Sequence, residues 1–162
     1  MYPFIKVSDQ ASFEAANLNA EYDFAVSIQG KGASPAVLRP DFSGKRLDLY
    51  FDDTTEGPGA PGEADLEALL AFGWEWAAAV RREPSLRTII HCGAGVSRSG
   101  ASALLLLSLY FGSYLAGAVH LYRCAPHVMP NALLCRLIFA RLGPAYGPDI
   151  SEALARGREA TS

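Results

Sequence analysis

The chain has 162 residues, half of them hydrophobic and 19% charged, with a formal net charge of −3. That length suits one domain with its own core, and the slight acidity excludes a whole-molecule attraction to nucleic acid or an anionic membrane. The three cysteines, Cys92, Cys124 and Cys135, form no CxxC pair, so neither a disulfide framework nor a structural zinc site is expected, and a reducing compartment is.

The first residues, MYPFIKVSDQ, lack a basic segment followed by an apolar one, so no signal peptide is read there and a cytoplasmic protein is expected. Residues 4–7 suit a short strand, and Ser8 suits the N-cap of a helix over 9–18. Residues 23–29, DFAVSIQ, read as a buried strand, and the Gly, Pro and Ser of 30–44 as a loop. In 46–51, Leu47, Leu49 and Phe51 alternate with Asp48 and Tyr50, a strand pattern. The following DDTTEGPGAPGE, 52–63, is a long loop of the kind that often carries function.

Leu66, Leu69, Leu70, Phe72, Trp76 and Val80 recur at helical spacing and predict an amphipathic helix over Glu63–Arg82. Arg87–His91, RTIIH, is a strand, and the loop HCGAGVSRSG follows it directly. Arg98–Phe111 is almost wholly apolar, too short to span a bilayer, and reads as the central buried helix. Two more helices fit 115–124 and 131–142, with Pro130 marking the start of the second. The division is a domain over 1–145 and a tail over 146–162, with a short helix near 150–156 before it frays. The class is α/β, a single domain with a mostly parallel central sheet flanked by helices.

A strand that runs through a glycine-containing loop into a helix places unpaired N–H groups around the helix start. With the helix dipole they form an anion site. Gly93, Gly95 and Gly100 permit the turns that point amides inward. Arg98 adds a fork for two phosphate oxygens, although a cation in the first helical turn opposes the dipole, a cost that implies an anion there. Cys92 at the base of this cradle ionises easily and becomes a nucleophile aimed at a bound oxyanion.

His91, Cys92, five residues, Arg98 and Ser99 resemble the signature of the cysteine-based protein tyrosine phosphatases, especially the compact dual-specificity branch and the small bacterial tyrosine phosphatases. The resemblance spans residues 23–142. It implies that a phosphate-binding loop between a strand and a buried helix presents the amides of Gly93, Ala94, Gly95, Val96, Ser97 and Arg98 to phosphate, with Arg98 also its clamp. It implies Cys92 as nucleophile, Ser99 as the hydroxyl that helps the thiolate leave, and His91 as an orienting residue beneath the loop. Asp53, followed by Thr54, matches the general acid, with Asp52 as alternate because strand alternation also sets it opposite Phe51. Asn131, after Pro130, implies a supporting role. The segment between Asp53 and Cys92 departs from the compact pattern by the length of GPGAPG.

The resemblance implies hydrolysis of phosphotyrosine or mixed phosphoprotein monoesters through a phosphocysteine, with no metal, cofactor, nucleic acid or membrane partner. Two alternatives remain: a small phosphate ester such as an inositol phosphate or nucleotide as substrate, which the absence of lysine from GAGVS disfavours, and a catalytically silent phosphate-binding scaffold. A regulatory disulfide from Cys92 to Cys124 or Cys135 is a further expectation left open. His120 and His127 do not stand at metal-ligand spacing.

Overall fold

The computed structural model describes residues 1–34 and 42–162; residues 35–41 of the expected 30–44 loop lie outside them. The strands are β1 (Phe4–Ser8), β2 (Phe24–Gln29), β3 (Lys45–Tyr50) and β4 (Arg87–His91). The helices are α1 (Gln10–Ala15), α2 (Leu18–Glu21), α3 (Glu63–Arg82), α4 (Arg98–Phe111), α5 (Tyr114–Cys124), α6 (Ala132–Leu142) and α7 (Ile150–Glu159), with a 3-10 turn at Gly143–Tyr146. All pairings are parallel, in the order β1-β4-β2-β3, so the sheet is more uniformly parallel than the sequence pattern requires.

Every residue of β2 is buried, as expected of a strand covered on both faces. Alternation divides the two cores. Ala25 and Ile89 face a small cluster with Phe13, Leu18 and Tyr22 from α1, α2 and the turn after them. Val26, Ile28 and Ile90 face the large cluster built on α3 and α4. The tetrad Leu104, Leu105, Leu106 and Leu107 is fully buried, so α4 is enclosed on all sides.

Two local expectations change. Ser8 belongs to β1, opposite His91, and the N-cap of α1 is Asp9, whose carboxylate accepts from the Ser12 amide at 2.7 Å. The expected single helix over 9–18 is two short ones. Five positions separate Phe13 from Leu18, about 140° around a continuous helix, and the break lets both reach one cluster. The C-terminal segment also differs. α7 runs on to Glu159 and buries Ile150 and Ala153 in the main core.

Beneath the sheet, the buried Trp76 indole donates to Thr88 Oγ1 on β4 at 2.8 Å. Thr88→Val keeps the shape but leaves that N–H unpaired. Urea unfolding should show a loss of about 1–3 kcal/mol; unchanged stability would mean that the indole finds another acceptor.

Candidate active site

Parallel strands place all their carboxyl ends on one edge, and the site lies there. β4 is central, so Cys92 emerges between the ends of β1 and β2. The loop after it touches segments that follow the other strands. Gly95 takes φ +69°, and a Cβ on it would lie 2.5 Å from the Ser8 carbonyl carbon, so glycine is required both for conformation and for space. Gly93 and Gly100 do not share that positive φ. Gly93 instead leaves room for Arg98, whose Nη2 would stand 3.3 Å from an added Cβ.

The loop's carbonyls are turned outward and bonded. Gly93 O accepts from the Gln10 amide at 3.1 Å, Val96 O from the Met129 amide at 3.1 Å and Ser97 O from the Asn131 amide at 3.1 Å. Gly95 O accepts from His127 Nε2 at 3.0 Å. In a trans peptide the following N–H points the opposite way, so the amides face inward. Ser97, the N-cap of α4, gives the helix no side-chain cap, and the amides at the helix start remain available to the site.

Cys92 is 2% exposed. Burial raises its pKa, but the Ser99 hydroxyl and the amides of Ser99, Val96 and Gly95 outweigh it and hold the thiol below its ordinary value. The Ser99 hydroxyl stands 3.1 Å from Sγ. Burial pushes Cys135 up to about 12 and raises Cys124 too, so Cys92 alone of the three is shifted toward the thiolate. All three are free thiols. Arg98 Nη1 donates to Phe51 O at 2.9 Å, while its Nε is buried without a partner among the described residues, a donor still to be satisfied.

His91 is fully buried beneath the loop and lies against Phe13, with ring centroids 4.0 Å apart. Its Nδ1 lies 3.2 Å from Cys92 O, which can only accept, so Nδ1 carries the hydrogen. In the neutral ring Nε2 then accepts from Ser27 Oγ at 2.6 Å. Burial is the main reason its pKa is lowered, with the Arg98 charge assisting.

The two aspartates have separate tasks. Asp53 Oδ1 accepts from Ser97 Oγ at 2.6 Å and from Asn131 Nδ2 at 3.1 Å, which sets the carboxylate against the loop after Cys92. Asn131 Nδ2 also reaches Thr54 O at 3.3 Å, and its Oδ1 caps α6 through the Leu134 amide at 3.0 Å. Asp52 instead organises its own loop. Its Oδ1 accepts from the Lys31 amide at 3.0 Å, and its amide donates to Gly59 O at 2.7 Å. A concavity of about 520 Å³ between α6 and α7, lined by Cys135, Phe139 and Leu154, holds none of these groups.

The structure therefore gathers Cys92, Arg98, Ser99, Asp53, His91 and Asn131 at one place. Sequence reasoning missed Ser27, Gln10, His127 and Met129, which hold the loop and its histidine. Two of these act through main-chain amides and leave no trace in residue type. His127 was weighed only as a metal ligand.

No family model matches the sequence, and no curated protein does. Solved structures do. Human DUSP28 superposes with a TM-score of 0.62 at 17% identity over 85% of this chain and 90% of that one. Cydia pomonella PTP-2 phosphatase gives 0.58 at 19% over 86% and 90%. Tk-PTP in its active form gives 0.57 at 18% over 85% and 90%. The chain has the fold of the compact dual-specificity and tyrosine phosphatases. Among the described residues, no helix is long and apolar enough to cross a membrane.

The buried histidines make stability depend on pH. Burial chiefly lowers both His91 and His120. Unfolded histidines take up protons below about pH 6.5, where the folded ones still resist. The unfolded state then binds more protons, so stability is full above that pH and falls as pH drops. The urea midpoint should be lower at pH 5.5 than at pH 7.5, and equal midpoints would refute the assignment.

Proposed function

We propose that the protein is a metal-independent phosphomonoester hydrolase acting on phosphotyrosine or mixed phosphoproteins through a phosphocysteine. One observation carries the reading: a buried thiol with lowered pKa, ringed by inward amides, beside a guanidinium with a free buried donor. That is a cavity built for an anion with a nucleophile at its floor. The fold shared with the phosphatases supports the reading by analogy.

The amides from Gly93 to Arg98 and the Arg98 fork would hold the three non-bridging phosphate oxygens. Cys92 Sγ attacks phosphorus and forms an S–P bond as the ester O–P bond breaks. Asp53 gives its proton to the departing oxygen, leaving an alcohol or phenol. Its Oδ1 takes both inbound hydrogen bonds, so Oδ2 is the oxygen for that transfer. Asp53, now a carboxylate, takes a proton from water as the water oxygen attacks phosphorus. The S–P bond breaks, inorganic phosphate leaves and the thiolate is restored. The Ser99 hydroxyl donates to the sulfur as its charge returns. Location in the cytoplasm remains part of this proposal.

The test is hydrolysis of p-nitrophenyl phosphate and a phosphotyrosine peptide with chelator present. Cys92→Ser should abolish turnover. Asp53→Asn should lower kcat on the peptide by about 100- to 10,000-fold, and by less on p-nitrophenyl phosphate, whose leaving group needs little help. Asp52→Asn should cost less than Asp53→Asn on the peptide. Turnover that survives Cys92→Ser, or that chelator removes, would sink the mechanism. Tight vanadate binding without turnover would leave a phosphate-recognition module.

A further inference from the structure

The segment 127–131 runs along the outer side of the phosphate loop, and its alternate residues take three consecutive loop carbonyls. His127 Nε2 donates to Gly95 O, the Met129 amide to Val96 O and the Asn131 amide to Ser97 O. The Gly95 carbonyl and the Val96 amide belong to one peptide plane and point oppositely. That Val96 amide is one of the donors that hold Cys92 toward its thiolate. Of the three outer bonds, only that of His127 comes from a side chain. Gly95 is also the loop residue with φ +69°, where the backbone is freest to turn.

We infer that His127 is a positioning residue for the nucleophile: by holding Gly95 O outward it holds the Val96 amide on Cys92 Sγ. The inference rests on Cys92 being the reactive thiol of the proposed function. The carbonyl only accepts, so Nε2 carries a hydrogen. His127 is solvent-exposed, and the segment around it has other anchors. Val128 is fully buried, its carbonyl accepts from Arg158 Nη2 at 3.0 Å, and the Asn131 side chain caps α6. Loss of the imidazole therefore leaves the segment in place and removes the restraint on one peptide plane.

The experiment is alkylation of Cys92 by iodoacetamide against pH, followed by mass spectrometry, in full-length protein carrying Cys124→Ser so that the exposed thiol is silent. His127→Ala should raise the midpoint of the Cys92 profile by about 0.5 to 1 unit, less than the roughly 1 to 2 units of a whole hydrogen bond to a charged group, because the Val96 amide is loosened and not removed. It should lower kcat/KM for p-nitrophenyl phosphate by about 3- to 10-fold. His127→Gln, whose side-chain amide can donate to the same carbonyl, should restore both to within about twofold. A wild-type midpoint in His127→Ala, with only the melting temperature lowered, would overturn the inference, as would His127→Gln behaving like alanine. The alkylation profile needs no turnover. An inactive wild-type protein whose low midpoint still rises in His127→Ala would refute the proposed function and uphold this role.

Discussion

Easing the ionisation of a thiol inside protein is the constraint on which the site depends. Burial of Cys92 works against its ionisation, and only donors aimed at the sulfur reverse that sign. Aiming a run of amides inward turns the carbonyls of the same peptides outward, and these too must be bonded. The cradle therefore needs a second ring around it. Gln10 supplies one member from the segment after β1, and His127, Met129 and Asn131 supply the rest from the segment before α6. A loop with the right residues but no outer ring would have no reason to hold its amides in place.

The same logic divides labour between adjacent aspartates. Asp52 holds the backbone of its loop through Lys31 and Gly59, and that fixed loop presents Asp53 to Ser97 and Asn131. Arg98 adds a third link by donating to Phe51 O, which ties the start of α4 to the segment that carries Asp53. Cys92 and Asp53 are thus held in register by three polar contacts, without a shared rigid element. This geometry depends on the sheet being parallel, because an antiparallel β3 would carry Asp52 and Asp53 to the opposite edge.

Local chemistry was legible. The spacing of Leu66 to Val80 marks α3 at its observed bounds, and the strand, loop and apolar helix around Cys92 stand where the residues place them. The following threonine favours Asp53 over Asp52 in the sequence, but what separates the two in the structure is spatial: Ser97, which binds Asp53, lies 44 positions away. Partnerships of that range leave no period in the sequence. Ser27 is an ordinary strand serine until β2 pairs beside β4 and sets it against the His91 ring. Phe13 and Leu18 look like one helix until the sheet offers a single small patch to cover.

The run of α7 past the expected 150–156 to Glu159 has the same origin and reaches the site. α7 is polar over much of its length, so its pattern suggests a fraying end, but Gly157 brings it nearly into backbone contact with α5. A Cβ there would lie 2.8 Å from the Ala118 Cβ. That approach positions the next residue, Arg158, with its guanidinium 4.8 Å from the Tyr122 ring centroid and its Nη2 on Val128 O. Val128 stands between His127 and Met129, two of the residues that hold the outward carbonyls of the loop after Cys92. The orientation of amides around a buried sulfur thus depends partly on a helix at the far side of α5, because a bonded ring around an anion is only as fixed as the segment that supplies it.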